Sequence, residues 1–150
     1  MKNSKLIIGL TFTVLLFLLS SCEGGAFLSS AEKIIGTWEF EQVKHREAGT
    51  LGKDDVTDEF KHITLKFSDD YSIEFINNDT DVITGGTWDI KVEDECADVL
   101  NVMLGHYEGA VFESWEWELS RVSVNTLKGT ERKDGGVYHY QLAKISDATD

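Results

Sequence analysis

No proline occurs in the 150 residues, and cysteine occurs only twice, as Cys22 and Cys96. A sheet built from this chain has no proline to blunt its edge strands, so closure on itself becomes the economical way to remove them. Cations are also scarce: 14 Lys and Arg stand against 27 Asp and Glu, a formal charge of −13. That balance repels phosphate backbones and excludes nucleic acid as a partner, and it disfavours a protein-mediated contact with an anionic membrane. It suits solubility first, and steering of a cationic ligand or of divalent ions second. Catalytic signatures are missing as well: there is no Gly-x-Ser-x-Gly elbow, no His-Glu-x-x-His and no phosphate-cradling glycine loop. His45, His62, His106 and His139 have no metal-ligand spacing. The acidic groups Asp54-Asp55, Asp69-Asp70, Asp79 with Asp81, and Glu93-Asp94-Glu95 read as solvated turns, without the alternating ligands of a calcium loop. The expectation is a protein that is not an enzyme and needs no metal and no cofactor.

What is present begins at the N-terminus. Lys2 and Lys5 precede a short apolar run, Ile7 to Leu19, and Ser20-Ser21 lead to Cys22. A positive start, a short apolar core and small residues before a cut site read as a secretory signal, too short to be a comfortable transmembrane helix. Leu19-Ser20-Ser21-Cys22 resembles the lipobox of bacterial lipoproteins. That resemblance implies lipidation of Cys22, removal of residues 1–21, and a lipid-anchored location in the cell envelope, most naturally the outer membrane. From Cys22 onward, 27 acidic residues face 12 basic ones, a formal charge of −15. Cys96 then has no partner in the chain, and its acidic surroundings disfavour a thiolate nucleophile. Residues 22–32 form the anchor and tether, 33–146 a single domain, and 147–150 a tail. Within the tether, Ser29 or Ser30 is placed to cap a short helix through Ile35 that Gly36 ends.

From residue 36 the pattern has period two. Trp38 and Phe40, then Ile63, Leu65 and Phe67, then Tyr71, Ile73 and Phe75 alternate with polar residues. Trp88 and Ile90, then Trp115, Trp117 and Leu119, then Tyr138, Tyr140 and Leu142 do the same. Each is a half-buried strand. Eight strands are expected, near 36–44, 61–68, 71–77, 82–91, 98–105, 110–121, 125–132 and 137–145. They are joined by short turns except for one long loop near 45–60. Short connections make sequential strands antiparallel neighbours, and eight is the number that closes into a small up-and-down antiparallel barrel. A two-sheet sandwich is the alternative.

Gly36-Thr37-Trp38, Phe67-Ser68-Asp69-Asp70-Tyr71 and Gly86-Thr87-Trp88-Asp89-Ile90, followed by the apolar stretch Val99 to Leu104, resemble the lipocalin-like lipoproteins of Bacteroidetes-type bacteria. Leu119-Ser120 and Leu127 match a late motif, and the resemblance covers about residues 33–145. It implies an all-β, eight-stranded barrel of the lipocalin or calycin kind, with an internal pocket for a small apolar ligand. The chain departs from the wider family in lacking a Thr-Asp-Tyr signature and an arginine at the end of the last strand. Lys144 is placed to lie over Trp38 instead, as a cation on an indole face.

The aromatic residues carry the functional reading. Phe40, Phe67, Tyr71, Phe75, Trp88, Trp115, Trp117, Tyr138 and Tyr140 share the apolar phase of the strands, which points inward in a barrel. Two uses remain open for them: filling the interior as core, or lining a cavity with flat faces and hydroxyl handles. Gly36, Trp38 and Lys144 are assigned to closure of one barrel end. Trp115 and Trp117 are the expected pocket wall, with Phe112 and Glu113 continuing upstream in the opposite phase. Tyr71, Tyr138 and Tyr140 are the polar handles, and the 45–60 loop, with Gly49 and Gly52, is a candidate lid. Catalysis would require titratable groups to converge, and the proposed inward phases carry almost no acids. The sequence therefore predicts a monomeric, lipid-anchored barrel that binds a small apolar or amphipathic ligand. The alternative is a filled barrel serving as a non-catalytic interaction or inhibitory module for a protein partner it does not identify.

Overall fold

In a computed structural model, residues 29–93, 97–105 and 113–147 are described. Cys22, Cys96, His106, Phe112 and the signal sequence lie outside them. A five-residue helix, α1 (Ser30–Ile34), opens the described chain. The Ser29 hydroxyl accepts from the Glu32 amide while the Glu32 carboxylate accepts from the Ser29 amide, a reciprocal cap that satisfies two otherwise free donors. The strands that follow are β1 (Gly36–Glu47), β2 (Asp54–Asp55), β3 (Ile63–Phe67), β4 (Ser72–Asn77) and β5 (Val82–Glu93). The sheet continues through β6 (Ala97–Leu104), β7 (Glu113–Val122), β8 (Thr126–Lys133) and β9 (Gly136–Ser146).

From β3 to β9 each strand pairs antiparallel with the next, and β1 pairs with both β3 and β9. That double pairing closes an eight-stranded barrel and excludes the sandwich. The two-residue β2 lies outside it, paired with Lys44 and His45 of β1. Register across the seam sets Trp38 against Leu65 and Lys144, and Val43 against Tyr140. A bulge at Glu41 lets β1 skip one residue between Phe40 and Gln42. The apolar phase therefore passes from Trp38 and Phe40 to Val43 and His45, which simple alternation does not anticipate.

The barrel has two unlike ends. At one end α1, Trp38, Phe67, Trp88, Leu119, Leu127 and Leu142 form the close-packed core, with Trp38 wholly buried. The Trp38 indole N–H donates to the Ile34 carbonyl at 2.7 Å, and the Trp88 N–H to the Ser68 carbonyl at 3.2 Å. The Lys144 ammonium sits 5.2 Å from the Trp38 ring centroid and donates to the Ile35 carbonyl at 2.7 Å. The Ser30 hydroxyl donates to Asp98 and ties α1 to β6. Gly36, at φ +134°, makes this junction possible: a β-carbon there would lie 2.8 Å from the Ser146 carbonyl oxygen and 3.1 Å from the Lys144 side chain.

At the opposite end are the ends of β1, β4 and β8, the starts of β3, β7 and β9, and the segment from Ala48 to His62. Thr57 pins that segment to the barrel, since its hydroxyl accepts from the Val43 amide at 2.9 Å and donates to Asp55 at 2.5 Å. The Thr57 hydroxyl, and then the Thr57 backbone N–H, both donating to Asp55, hold its carboxyl below its ordinary range. The long loop expected near 45–60 is thus shorter and more structured: residues 45–47 extend β1, and a 3-10 turn, Thr57–Glu59, delivers Phe60 to the barrel mouth.

Candidate functional site

The inward phase at the open end is nearly continuous aromatic surface. Trp115 stacks on Trp117 (centroids 5.9 Å apart, planes 6°), Trp117 on Tyr140 (4.7 Å, 24°), and Tyr140 on Tyr138 (6.0 Å, 8°). Phe75 meets Trp115 edge-on, and His45 stacks on Tyr138 at 4.4 Å. Gly129, which pairs with Tyr140, leaves the space above its α-carbon to Trp117 and Leu119, the nearest atom being the Trp117 β-carbon. Phe60 reaches over this array from the 3-10 turn, 5.4 Å from Phe40 and 5.9 Å from Tyr140.

Between these rings lies a cleft of about 210 Å³, lined by Phe40, Phe60, Phe75, Trp115, Tyr138 and Tyr140, with Ile63 and the charged residues Glu113, Glu131, Lys133 and Asp134 completing the lining. Asp134 and Gly135, both at positive φ, form the two-residue turn between β8 and β9 that brings Asp134 to this rim. Glu131 is 7% exposed, and the Tyr140 hydroxyl donates to its carboxylate at 2.7 Å. Burial and that carboxylate push the Tyr140 hydroxyl far above the ordinary tyrosine range, so it remains a donor. Glu113 accepts from the Trp115 indole at 3.1 Å and pairs with the Lys133 ammonium at 3.5 Å.

The nine aromatic residues singled out in the sequence thus divide. Phe40, Phe75, Trp115, Tyr138 and Tyr140 meet at the cleft. Trp117 is buried beneath them as a supporting layer, and its N–H finds no partner among the described residues. Phe67 and Trp88 belong to the packed end, 5.6 Å apart and perpendicular. Tyr71 is a correction: it is 56% exposed, because it occupies a left-handed position (φ 63°) closing the β3–β4 turn, and so leaves the strand phase. Its ring lies against Trp88 instead. A second correction concerns charge, since Glu113 and Glu131 both occupy the inward phase, opposite Leu104 and Tyr138. The signal for them was in the register: Glu113 shares parity with Trp115, and Glu131 shares parity with Leu127. His45, expected only to lie at the start of the long loop, instead continues β1 and faces inward on Tyr138.

Among the described residues no three His, Cys, Asp or Glu side chains gather as a metal site, and no helix is long and apolar enough to cross a membrane. Fold and site together define a cup: a small closed antiparallel β-barrel, packed at one end and carrying an aromatic, acid-edged recess at the other. The chain matches no protein-family model, no curated protein and no solved structure.

Proposed function

We propose that this protein is a lipid-anchored envelope protein of the lipocalin-like kind that binds a small amphipathic molecule in the recess of its barrel. The observation carrying this reading is the cleft itself, where half-buried rings surround a buried carboxylate and an ordered hydroxyl. Burying apolar ligand surface on such rings is worth roughly 25 cal/mol per Å² before the cost of association. The polar groups supply orientation. At about 210 Å³ the recess suits one ring or a short chain rather than a long acyl lipid. Nothing in this reading requires bond-making chemistry, and the protein acts as a carrier or sensor of its ligand.

The anchor rests on the lipobox resemblance at Cys22. Six residues lie between Cys22 and Ser29, a reach of at most about 25 Å, and Ser29, the first described residue, lies at the packed end. A lipid on Cys22 would therefore hold the packed end toward the bilayer and leave the recess facing away. An interaction module with a filled barrel is the competing reading. Among the described residues the exposed large apolar side chains, Leu51, Tyr71, Val82, Ile83, Met103, Val124 and Ile145, are divided between the two ends of the barrel and favour no single protein-docking patch.

Native mass spectrometry of the full chain, extracted in detergent from its own membranes, tests both parts. The expected result is a diacyl or triacyl mass increment lost in Cys22→Ser, together with a small molecule released on denaturation. An unmodified chain overturns the anchor. A ligand-free barrel whose Trp115 fluorescence ignores a library of small amphiphiles overturns the binding function.

A further inference from the structure

We propose that the cleft selects a small organic ammonium, a protonated amine carried on a single ring or short apolar stem, over a neutral or anionic amphiphile. The inference rests on the cleft being the ligand site and assigns the charge of what enters it. Three observations converge.

The first is the nature of the walls. Phe40, Phe60, Trp115, Tyr138 and Tyr140 offer ring surfaces in several orientations. The face of an aromatic ring is the negative part of its quadrupole, so a cation lodged among such faces is attracted and an anion is not. The second is the placement of charge. The lining carries three carboxylates, Glu113, Glu131 and Asp134, against one ammonium, Lys133, already paired with Glu113 at 3.5 Å. A ligand carboxylate or phosphate would have to displace Glu113 from Lys133 and lie beside Glu131.

The third observation concerns Glu131. Its side chain is buried at the cleft wall, and among the described residues Tyr140 is the one side chain that donates to it. The Tyr140 bond occupies Oε2, leaving Oε1 to accept from a ligand N–H. A carboxylate held by a neutral tyrosine in a recess of low polarity retains a strong field, and a charge-assisted hydrogen bond from an ammonium satisfies it. Outside the cleft, the excess of 27 acidic over 14 basic residues draws cations toward the surface.

The test uses three probes of nearly one shape, phenethylammonium, phenethyl alcohol and phenylpropionate, titrated calorimetrically into the full chain near neutral pH. The ammonium should bind about tenfold tighter than the alcohol, and the alcohol tighter than the carboxylate. Glu131→Gln, which can still accept from Tyr140, should remove that preference, bringing the ammonium's affinity down to that of the alcohol. Glu113→Gln, at the exposed rim, should reduce it by a smaller factor and serves as the variant should Glu131→Gln fold poorly. Equal binding of all three probes, or tighter binding of phenylpropionate, overturns the cationic selectivity while leaving the cleft as a ligand site. Failure of every probe to bind or to perturb Trp115 fluorescence overturns both.

Discussion

The two ends of the barrel use the same kind of residue to opposite effect. At the packed end, Trp38 and Trp88 each give their indole N–H to a backbone carbonyl, and Lys144 gives its ammonium to another, so the polar atoms are satisfied within the protein. At the open end, aromatic residues of the same strand phase surround a recess whose carboxylates retain accepting capacity. The difference lies in what covers each end. Helix α1 and the Gly36 junction bring backbone down onto Trp38, whereas among the described residues the open end receives one ring, Phe60, from a short 3-10 turn. Strand periodicity fixes which residues face inward, and the segments between strands decide whether those residues become core or surface.

The sharpest way to break this contrast is to remove one tryptophan from each end. Trp38→Ala deletes a wholly buried ring and its hydrogen bond, and should cost about 3–5 kcal/mol of unfolding free energy. Trp117→Ala belongs with it, because that ring is buried beneath the recess rather than in its wall. Trp115→Ala, half-exposed at the recess, should cost only about 1–2 kcal/mol yet abolish binding of whatever ligand the wild type holds. Urea denaturation alongside ligand titration separates the two. A Trp115 variant destabilised as severely as the Trp38 variant would show that the open end is simply more core.

A smaller effect sharpens the account of the packed end. Gly36→Ala places a β-carbon at a left-handed φ and 2.8 Å from a carbonyl oxygen, at a cost of about 1–3 kcal/mol. Lys144→Met keeps most of the stem but strands the Ile35 carbonyl and removes the cation from the Trp38 face, costing about 1–2 kcal/mol. Neither should alter ligand affinity at the far end, so equal affinity in both variants, measured by calorimetry, is the expected result. A loss of affinity would mean that the ends are mechanically coupled.

Much of this architecture was legible in the residues. All eight barrel strands were located to within a few positions, six of them by alternation, because each of those carries an apolar face two residues in period. Closure followed from short connections, and the apposition of Lys144 and Trp38 follows from their pairing across the seam. The site was legible only in part. Tyr71 keeps the right parity in the sequence, but a left-handed residue ends the turn and turns its side chain out. The bulge at Glu41 shifts parity inside β1 and sends His45 inward. Glu113 and Glu131 were visible as acids but not as neighbours, since they lie on β7 and β8, and only the register between strands brings both to one recess. Bulges, left-handed turns and barrel stagger are tertiary outcomes that no single strand's pattern contains.

The smallest expected effect separates the two ends by pH. His139 lies on the outer side of β9, between Lys44 of β1 and Thr130 of β8. Burial, then the nearby charges of Lys53 and Arg46, lower its affinity for a proton below that of a free imidazole. Between the lowered folded value and the unfolded value of about 6.5, the unfolded chain binds a proton that the folded chain does not. Stability therefore falls as pH drops through that window, and above it the residue contributes no pH dependence. Lys53 and Arg46 flank β2 at the open end, so the penalty should be felt there first. On mild acidification, amide protection should fall at Val56, whose N–H donates to the Val43 carbonyl, while protection at Leu65 and Trp38 is maintained. His139→Gln should abolish this difference, and its urea midpoint should decline less than the wild type's over the same pH range. Parallel midpoints, or equal loss of protection at both ends, would mean that the open end is no more loosely held than the packed one.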